Sequence, residues 1–191
     1  MSQFPTTPQA SDISISSITP TLASVTHSLK RQARQRGGQR WSMKVGFPSM
    51  TRADFAPIWA FALSQKGQYG VFTYIPPIYG DTSGTASGTL SVNNAGGYEA
   101  GISSIASDGL TGTLKAGDFI KFTGHDKVYM LTADSSTTLS IEPQLMTAVA
   151  DNETVTYNDV PFTVAFTGDT QKVDTSTNGF ISYEIALVEI V

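Results

Sequence analysis

The sequence predicts a mainly β protein, with an N-terminal β-hairpin and sheet, one short helix, and a small β-barrel or sandwich subdomain. Ser and Thr together number 45 of the 191 residues, and 17 Gly and 9 Pro accompany them. This composition suits many short strands joined by turns. Hydrophobic residues make up 40% of the chain and charged residues only 15%, so the chain can form a core while carrying little surface charge.

The N-terminal part predicts an arm followed by a hairpin. Residues 1–21 are rich in Ser, Thr, Pro and Gln, and we expect an extended arm that orders only against a neighbouring molecule. Residues 22–36 and 39–47 are extended segments that flank Gly37-Gly38, a pair that readily forms a tight hairpin turn. In the second segment Trp41 shares one face with Met43, Val45 and Phe47, as in a half-buried strand.

One helix is predicted to begin at Thr51. Asp54 follows three positions later, which resembles a capping box. Apolar residues then recur at helical spacing, Pro57 is close enough to the start to be tolerated, and Gly67 offers a C-terminal stop. The helix is expected to cover one face of the sheet.

The rest of the chain reads as a series of short strands. Residues 69–74 form a strand candidate that ends at Pro76-Pro77, and residues 80–88 are expected to form a flexible polar loop. The later strand candidates are 89–92, 118–122, 127–133, 137–142, 154–157, 161–166 and 179–191. We therefore divide the chain into an arm (1–21), a hairpin–helix–strand part of a β domain (22–88), a small β-barrel or sandwich (89–166), and a C-terminal strand that returns to the first sheet (167–191).

Charge is distributed unevenly along the sequence. Residues 1–53 contain seven basic residues and one acidic residue, whereas residues 54–191 contain five basic and fifteen acidic residues. A chain polarised in this way can bind nucleic acid through its basic part, or bind the acidic face of another copy of itself.

The motifs of common catalytic and cofactor sites are missing. No cysteine is present, only His27 and His125 could serve a hydrolase, and no nucleophile-elbow or phosphate-loop motif occurs. Residues 124–127 read as a hairpin connection rather than a catalytic dyad. We expect no enzyme activity, cofactor, metal or small-molecule substrate. The chain also lacks a secretory signal and an apolar run of 18 residues, so no membrane contact is expected.

Three groups of residues together resemble bacteriophage proteins of the distal tail and baseplate type. They are Gln39-Arg40-Trp41 with the helical Phe55, Trp59 and Leu63 and then residues 70–77; residues 114–122 with 128–131; and residues 139–145. The resemblance covers roughly residues 22–166. It implies a structural subunit of a virion, assembled in the host cytoplasm, that forms a homo-oligomeric ring between the tail tube and tip or fibre components.

The basic hairpin is the predicted subunit interface. Its residues are Lys30, Arg31, Arg34, Arg36 and Arg40, and Trp41, Phe55 and Trp59 are expected to form the core that orients it. The expected partners are other copies in the ring and other virion proteins, rather than nucleic acid. Two alternatives stay open: a carbohydrate-binding host-recognition module that uses Tyr69, Tyr74, Tyr79 and Tyr98, and a head-to-tail connector that contacts DNA.

Overall fold

The computed structural model describes residues 1–191 and is mainly β, which confirms the predicted fold class. The strands are β1 (Ser2–Gln3), β2 (Asp12–Ile18), β3 (Thr21–Val25), β4 (Arg31–Gln35), β5 (Arg40–Gly46), β6 (Phe72–Tyr74), β7 (Ser87–Val92), β8 (Ser104–Thr111), β9 (Phe119–Phe122), β10 (Tyr129–Leu131), β11 (Thr138–Glu142), β12 (Thr154–Thr156), β13 (Phe162–Phe166), β14 (Val173–Thr175) and β15 (Ile181–Glu189). The single α-helix, α1, spans Arg52–Ser64, and a 3-10 helix spans Gly67–Tyr69.

The chain forms two compact units, each built from separate stretches of sequence. The barrel unit contains Met1–Gln9, Val71–Val164 and Ile190–Val191, and the helix unit contains Ala10–Gly70 and Ala165–Glu189. The four segments proposed from the sequence follow the chain linearly, whereas these two units interleave along it.

Six strands of the barrel unit close into an antiparallel barrel. Their order around it is β7, β8, β11, β10, β9 and β12, and β12 pairs back with β7. Closure leaves no unpaired strand edge within the barrel. Its interior is filled by fourteen buried residues: Leu90, Val92, Ile105, Leu114, Ile120, Phe122, Tyr129, Leu131, Leu139, Ile141, Leu145, Val149, Val155 and Tyr157.

The N-terminal residues pair within the chain itself. β1 runs parallel to β6, and Phe4 is buried with its ring centroid 5.9 Å from that of Phe72 and 5.7 Å from that of Tyr74. In the helix unit, β2 pairs with β5 along its whole length. The expectation that residues 1–21 form an arm that orders only against a neighbouring molecule is therefore wrong.

The helix unit is an antiparallel sheet with α1 packed on it. β5 pairs with β2 on one side and β15 on the other, and β14 pairs with β15. Trp41, Met43 and Val45 are buried while the residues between them are not, which confirms the alternation predicted for this strand.

Helix α1 begins as the sequence predicts. The hydroxyl of Thr51 accepts a hydrogen bond from the Asp54 backbone N–H at 3.4 Å and donates one to the Asp54 carboxylate at 2.7 Å. The helix ends at Ser64, and Lys66 and Gly67 then adopt left-handed φ values of 56° and 68°, which stop the helix.

The predicted hairpin turn lies elsewhere. β3 pairs with β4, and their connecting turn is 26–30 rather than Gly37-Gly38. Gly37 and Gly38 do adopt the positive φ values of 71° and 76°, but they lie between β4 and β5. Instead, β5 pairs with β2, and Ile13 and Ile15 lie opposite Val45 and Met43. This register places the apolar side chains of both strands on one face of the sheet, which stabilises the pairing.

Candidate assembly surfaces

A two-stranded hairpin is the main exposed feature of the helix unit. We call Thr21–Gln35, which contains β3, β4 and their turn, the finger; every one of its residues is exposed. In the turn, the backbone N–H of Leu29 donates to the Thr26 carbonyl at 2.9 Å, and the N–H of Thr26 donates to the Lys30 carbonyl at 3.0 Å. No residue of the finger is buried, and an isolated two-stranded hairpin of this kind is only marginally stable in water.

The five predicted interface residues lie along the finger and its base. Lys30 is in the turn, Arg31 and Arg34 are on β4, Arg36 follows β4, and Arg40 begins β5. All five are exposed, and none forms an ion pair within the chain. Their charges are therefore available to an anionic partner.

The finger combines arginines with exposed apolar side chains. Arg34 pairs with Leu22 and Arg31 pairs with Val25, and paired residues lie on the same face of the hairpin. Leu22 is 56% exposed and Val25 is 60% exposed. Contact with nucleic-acid phosphates would leave these apolar side chains in water, whereas a protein surface can cover them, so the finger favours a protein partner.

The three aromatic residues predicted to orient the finger belong to the framework of the helix unit. Trp41 and Phe55 are buried, and Trp59 is half-buried. The Phe55 ring centroid lies 5.6 Å from that of Trp59, and both rings contact Tyr183. Burial of Trp41 confirms that it points into a core and removes it as a platform for stacking bases. Its role in orienting the finger stays a prediction.

The two units carry opposite net charge. The barrel unit has ten acidic and three basic residues, whereas the helix unit has six acidic and nine basic residues. Of the barrel unit's basic residues, Lys127 is buried and Lys115 is paired with Asp134 at 2.6 Å. The exposed acidic residues of this unit are Asp81, Glu99, Asp108, Asp126, Asp134, Glu142 and Asp159. The barrel unit therefore presents an anionic surface.

The polar segment 80–88 is anchored to the barrel and is not the flexible loop predicted from its composition. Asp118, which is buried, accepts hydrogen bonds from the Thr82 hydroxyl, from the Ser83 backbone N–H and hydroxyl, and from the Lys115 backbone N–H. Burial disfavours the charged carboxylate, but these hydrogen bonds outweigh it and hold the pKa of Asp118 below its ordinary value. Asp118 thus has a structural role.

His125 is also part of the barrel framework. It lies in the connection between the paired strands β9 and β10, as the sequence predicts, and is buried. Its Nδ1 is 2.9 Å from the Tyr129 hydroxyl, and that hydroxyl accepts a hydrogen bond from the Met146 backbone N–H at 3.2 Å. The imidazole is held among barrel residues instead of facing a cleft.

The tyrosines that favoured a carbohydrate site have different environments. Tyr74 is buried, and the Tyr98 hydroxyl accepts a hydrogen bond from the Ala106 backbone N–H at 2.9 Å. Tyr79 packs edge-on against Phe119, with ring centroids 6.5 Å apart, and Tyr69 is 84% exposed. Tyr74 and Tyr98 are thus structural residues, which weakens the evidence for a sugar-binding surface.

No three His, Cys, Asp or Glu side chains are grouped closely enough to hold a metal ion. The helix is too short to be a membrane-spanning segment.

The structure thus combines a closed barrel, an anchored loop and an exposed basic finger in one mainly β chain. Residues 80–160, fewer than half of the chain, match the family described as the B domain of distal tail protein pb9. This match confirms the resemblance to phage distal tail structural proteins and supports a structural role in a phage tail. No curated protein matches the chain.

Proposed function

We propose that the protein is a non-catalytic subunit of a ring in the phage tail, which links the tail tube to tip or fibre components. The observation that carries this proposal is the match of residues 80–160 to a domain of a distal tail protein. In this role the protein is a component of the virion, is assembled in the host cytoplasm, and contacts other copies of itself and other virion proteins.

The finger supplies the mode of association. Its exposed basic residues, together with Leu22, Val25 and Leu29, form a cationic and apolar surface that has no cover in its own chain. The barrel unit presents the opposite charge. In the ring the finger of one copy lies on the anionic surface of the next, a head-to-tail contact that closes when the rotation between copies allows it.

Charge reversal on the finger tests this mode. Arg34→Glu with Arg36→Glu is expected to leave the protomer folded, because both side chains are exposed and unpaired, and to weaken self-association by at least about tenfold, or ~1.4 kcal/mol. The matched control is Lys44→Glu with Lys66→Glu, which changes the net charge equally at exposed residues that lie outside the finger and form no ion pair.

Light scattering at moderate salt measures association, circular dichroism monitors folding, and negative-stain imaging shows whether the wild-type protein forms rings. Unchanged assembly of the finger variant, or a finger that stays in solvent in the assembled particle, contradicts the proposed contact. Strongly salt-dependent retention of DNA would instead favour the connector, and saturable binding of host polysaccharide by the monomer would favour the host-recognition module.

A further inference from the structure

Helix α1 has apolar residues on two faces, and the chain covers only one of them. Phe55, Ile58 and Ala62 are buried, whereas Ala56, Ala60 and Leu63 are exposed. The only charged residues of the helix, Arg52 and Asp54, lie in its first turn. A helix that is apolar all round is normally covered all round, so the outer face of α1 is suited to contact with another molecule.

This outer face forms one wall of an apolar groove within the helix unit. The groove has a volume of about 660 Å³, which lies within the range of about 300–1,000 Å³ typical of ligand pockets. The buried Phe55 and Ile181 line it together with Trp59, Leu63 and Val173. Arg52 is the only charged residue that lines it. The groove therefore suits an apolar side chain with an acidic group beside it.

The barrel unit carries an apolar side chain with these properties. Ile78 is 86% exposed and has a left-handed φ of 72°. The Tyr79 backbone N–H donates to the Pro77 carbonyl at 2.9 Å, which closes a three-residue turn around Ile78. A β-branched residue rarely adopts a positive φ, and Pro76-Pro77 restrict the backbone before it. The turn thus holds Ile78 in solvent in a fixed position.

Acidic residues flank this turn. Asp81 and Asp159 are both exposed, and the Asp81 carboxylate accepts a hydrogen bond from the Asp159 backbone N–H at 3.0 Å. Their charge complements that of Arg52 in the groove. Leu29, at the tip of the finger, is 85% exposed but is followed by Lys30 and Arg31, which Arg52 would repel. Charge therefore favours the Ile78 turn over the finger tip as the occupant of the groove.

We propose that the groove between α1 and the β14–β15 segment receives the Ile78 turn of a second copy of this chain, with Asp81 close to Arg52. The Ile78 turn and the groove are different surfaces of the same chain, so the contact between two copies is head-to-tail. The inference rests on the proposed assembly function and adds a contact separate from the finger.

Cysteine cross-linking tests the contact directly, because the chain has no cysteine of its own. Ile78→Cys protein is mixed with Ala60→Cys protein under mild oxidation, and the disulfide-linked dimer is measured on non-reducing gels. Both positions are exposed. A disulfide needs Cα atoms within about 7 Å, so we expect a cross-linking rate at least about tenfold above that of a control mixture of Tyr69→Cys with Ala60→Cys. Equal rates in the two mixtures overturn the proposal.

A second variant separates association from folding. Ile78→Gly removes the apolar side chain and relieves the left-handed backbone, so it is expected to keep or raise the thermal midpoint while weakening self-association by at least about tenfold, equivalent to ~1.4 kcal/mol. Undiminished association of this variant overturns the inference. If the finger variant weakens assembly while Ile78→Gly does not, the proposed function survives and this contact fails; if the wild-type protein stays monomeric at assembly concentrations, both fail.

Discussion

Ser83 donates two hydrogen bonds to the same carboxylate oxygen of Asp118, from its backbone N–H at 2.9 Å and from its hydroxyl at 2.7 Å. The two residues are 35 positions apart in the sequence. The other carboxylate oxygen accepts the Lys115 backbone N–H at 2.8 Å and the Thr82 hydroxyl. This one side chain therefore fixes the segment that enters the barrel and the turn that precedes β9.

Replacement of Asp118 should loosen this connection. Asp118→Asn exchanges one oxygen of this buried side chain for a donor, so that the groups which donate to that oxygen lose their acceptor, and we expect a loss of about 1–3 kcal/mol in the free energy of unfolding. Urea denaturation measures the change. Asp108→Asn is the control, because Asp108 is exposed and its carboxylate accepts a hydrogen bond from the Ser91 hydroxyl. Equal stability of the two variants would contradict the role given to Asp118.

Asp118 also predicts a dependence of stability on pH. Since its pKa is lowered in the folded protein, its contribution is present above the unfolded pKa of about 3.9 and is lost as the pH falls through the folded-state pKa. Wild-type protein should therefore lose stability below about pH 4 more steeply than Asp118→Asn. Parallel profiles of thermal midpoint against pH would exclude this assignment.

Two buried tyrosines provide a matched pair. The Tyr74 hydroxyl is buried without a hydrogen-bond partner, whereas the Tyr183 hydroxyl donates to the Gln171 side-chain oxygen at 2.8 Å. Tyr74→Phe should leave stability unchanged or raise it by up to about 1–3 kcal/mol, and Tyr183→Phe should lower it by about 0.5–1.5 kcal/mol. Thermal and urea unfolding at neutral pH test both, and destabilisation of Tyr74→Phe would contradict the assignment of an unpaired hydroxyl to Tyr74.

The same tyrosines predict sensitivity to alkali. Burial raises the pKa of Tyr183 to about 12 and that of Tyr74 still further. The folded state favours the neutral phenol, so stability is complete below the unfolded pKa of about 10 and falls as the pH rises above it. In each Phe variant, the free energy of unfolding should fall less between pH 10 and about 12 than it does in the wild-type protein. An equal fall in variant and wild type would contradict the assignment of this alkali sensitivity to the buried tyrosines.

Glu189 should stabilise the pairing of β5 with β15. Its buried carboxylate accepts the Trp41 backbone N–H at 3.1 Å. Glu189→Ala leaves that N–H without this acceptor and should cost about 1–3 kcal/mol, whereas Glu189→Gln keeps a carbonyl oxygen and should cost less. Urea denaturation ranks the two variants. Faster hydrogen exchange at the Trp41 amide in Glu189→Ala would locate the effect, and unchanged exchange would argue against it.

Local chemistry predicted the helix start and the alternation of β5, but not which strands pair. Gly37-Gly38 has the backbone conformation that a tight turn uses, and the sequence alone therefore suggested a hairpin there. In the structure β5 pairs with β2 and β4 pairs with β3, so Gly37-Gly38 connects two strands that do not pair with each other. The signal for β2 was present in the alternating Ile13 and Ile15, but the surrounding Ser, Thr and Pro suggested an unpaired arm.

Strand β8 was not predicted because its composition resembles that of a loop. Its segment SIASDGLT contains Gly109, with a positive φ of 77°, beside Asp108. Closure of the barrel between β7 and β11 imposes the strand despite these residues. The basic residues of the finger are visible in the sequence, whereas the groove is not, because its walls come from residues more than a hundred positions apart.

The barrel should fold by itself. Residues 80–160 contain all six barrel strands and the fourteen residues of its interior, and a closed barrel has no strand edge that needs another unit. We expect this fragment to give a β-type circular dichroism spectrum and a cooperative unfolding transition. A fragment that lacks dispersed amide resonances would show that the barrel depends on the rest of the chain.

The two ends of this segment meet, because the Val160 backbone N–H donates to the Gly80 carbonyl at 2.9 Å. A domain whose two chain ends lie this close together can be inserted into, or removed from, another domain with little effect on that domain's fold. Recombination can exchange such a domain for another, or shorten it to a tight connection, without displacing the strands on either side.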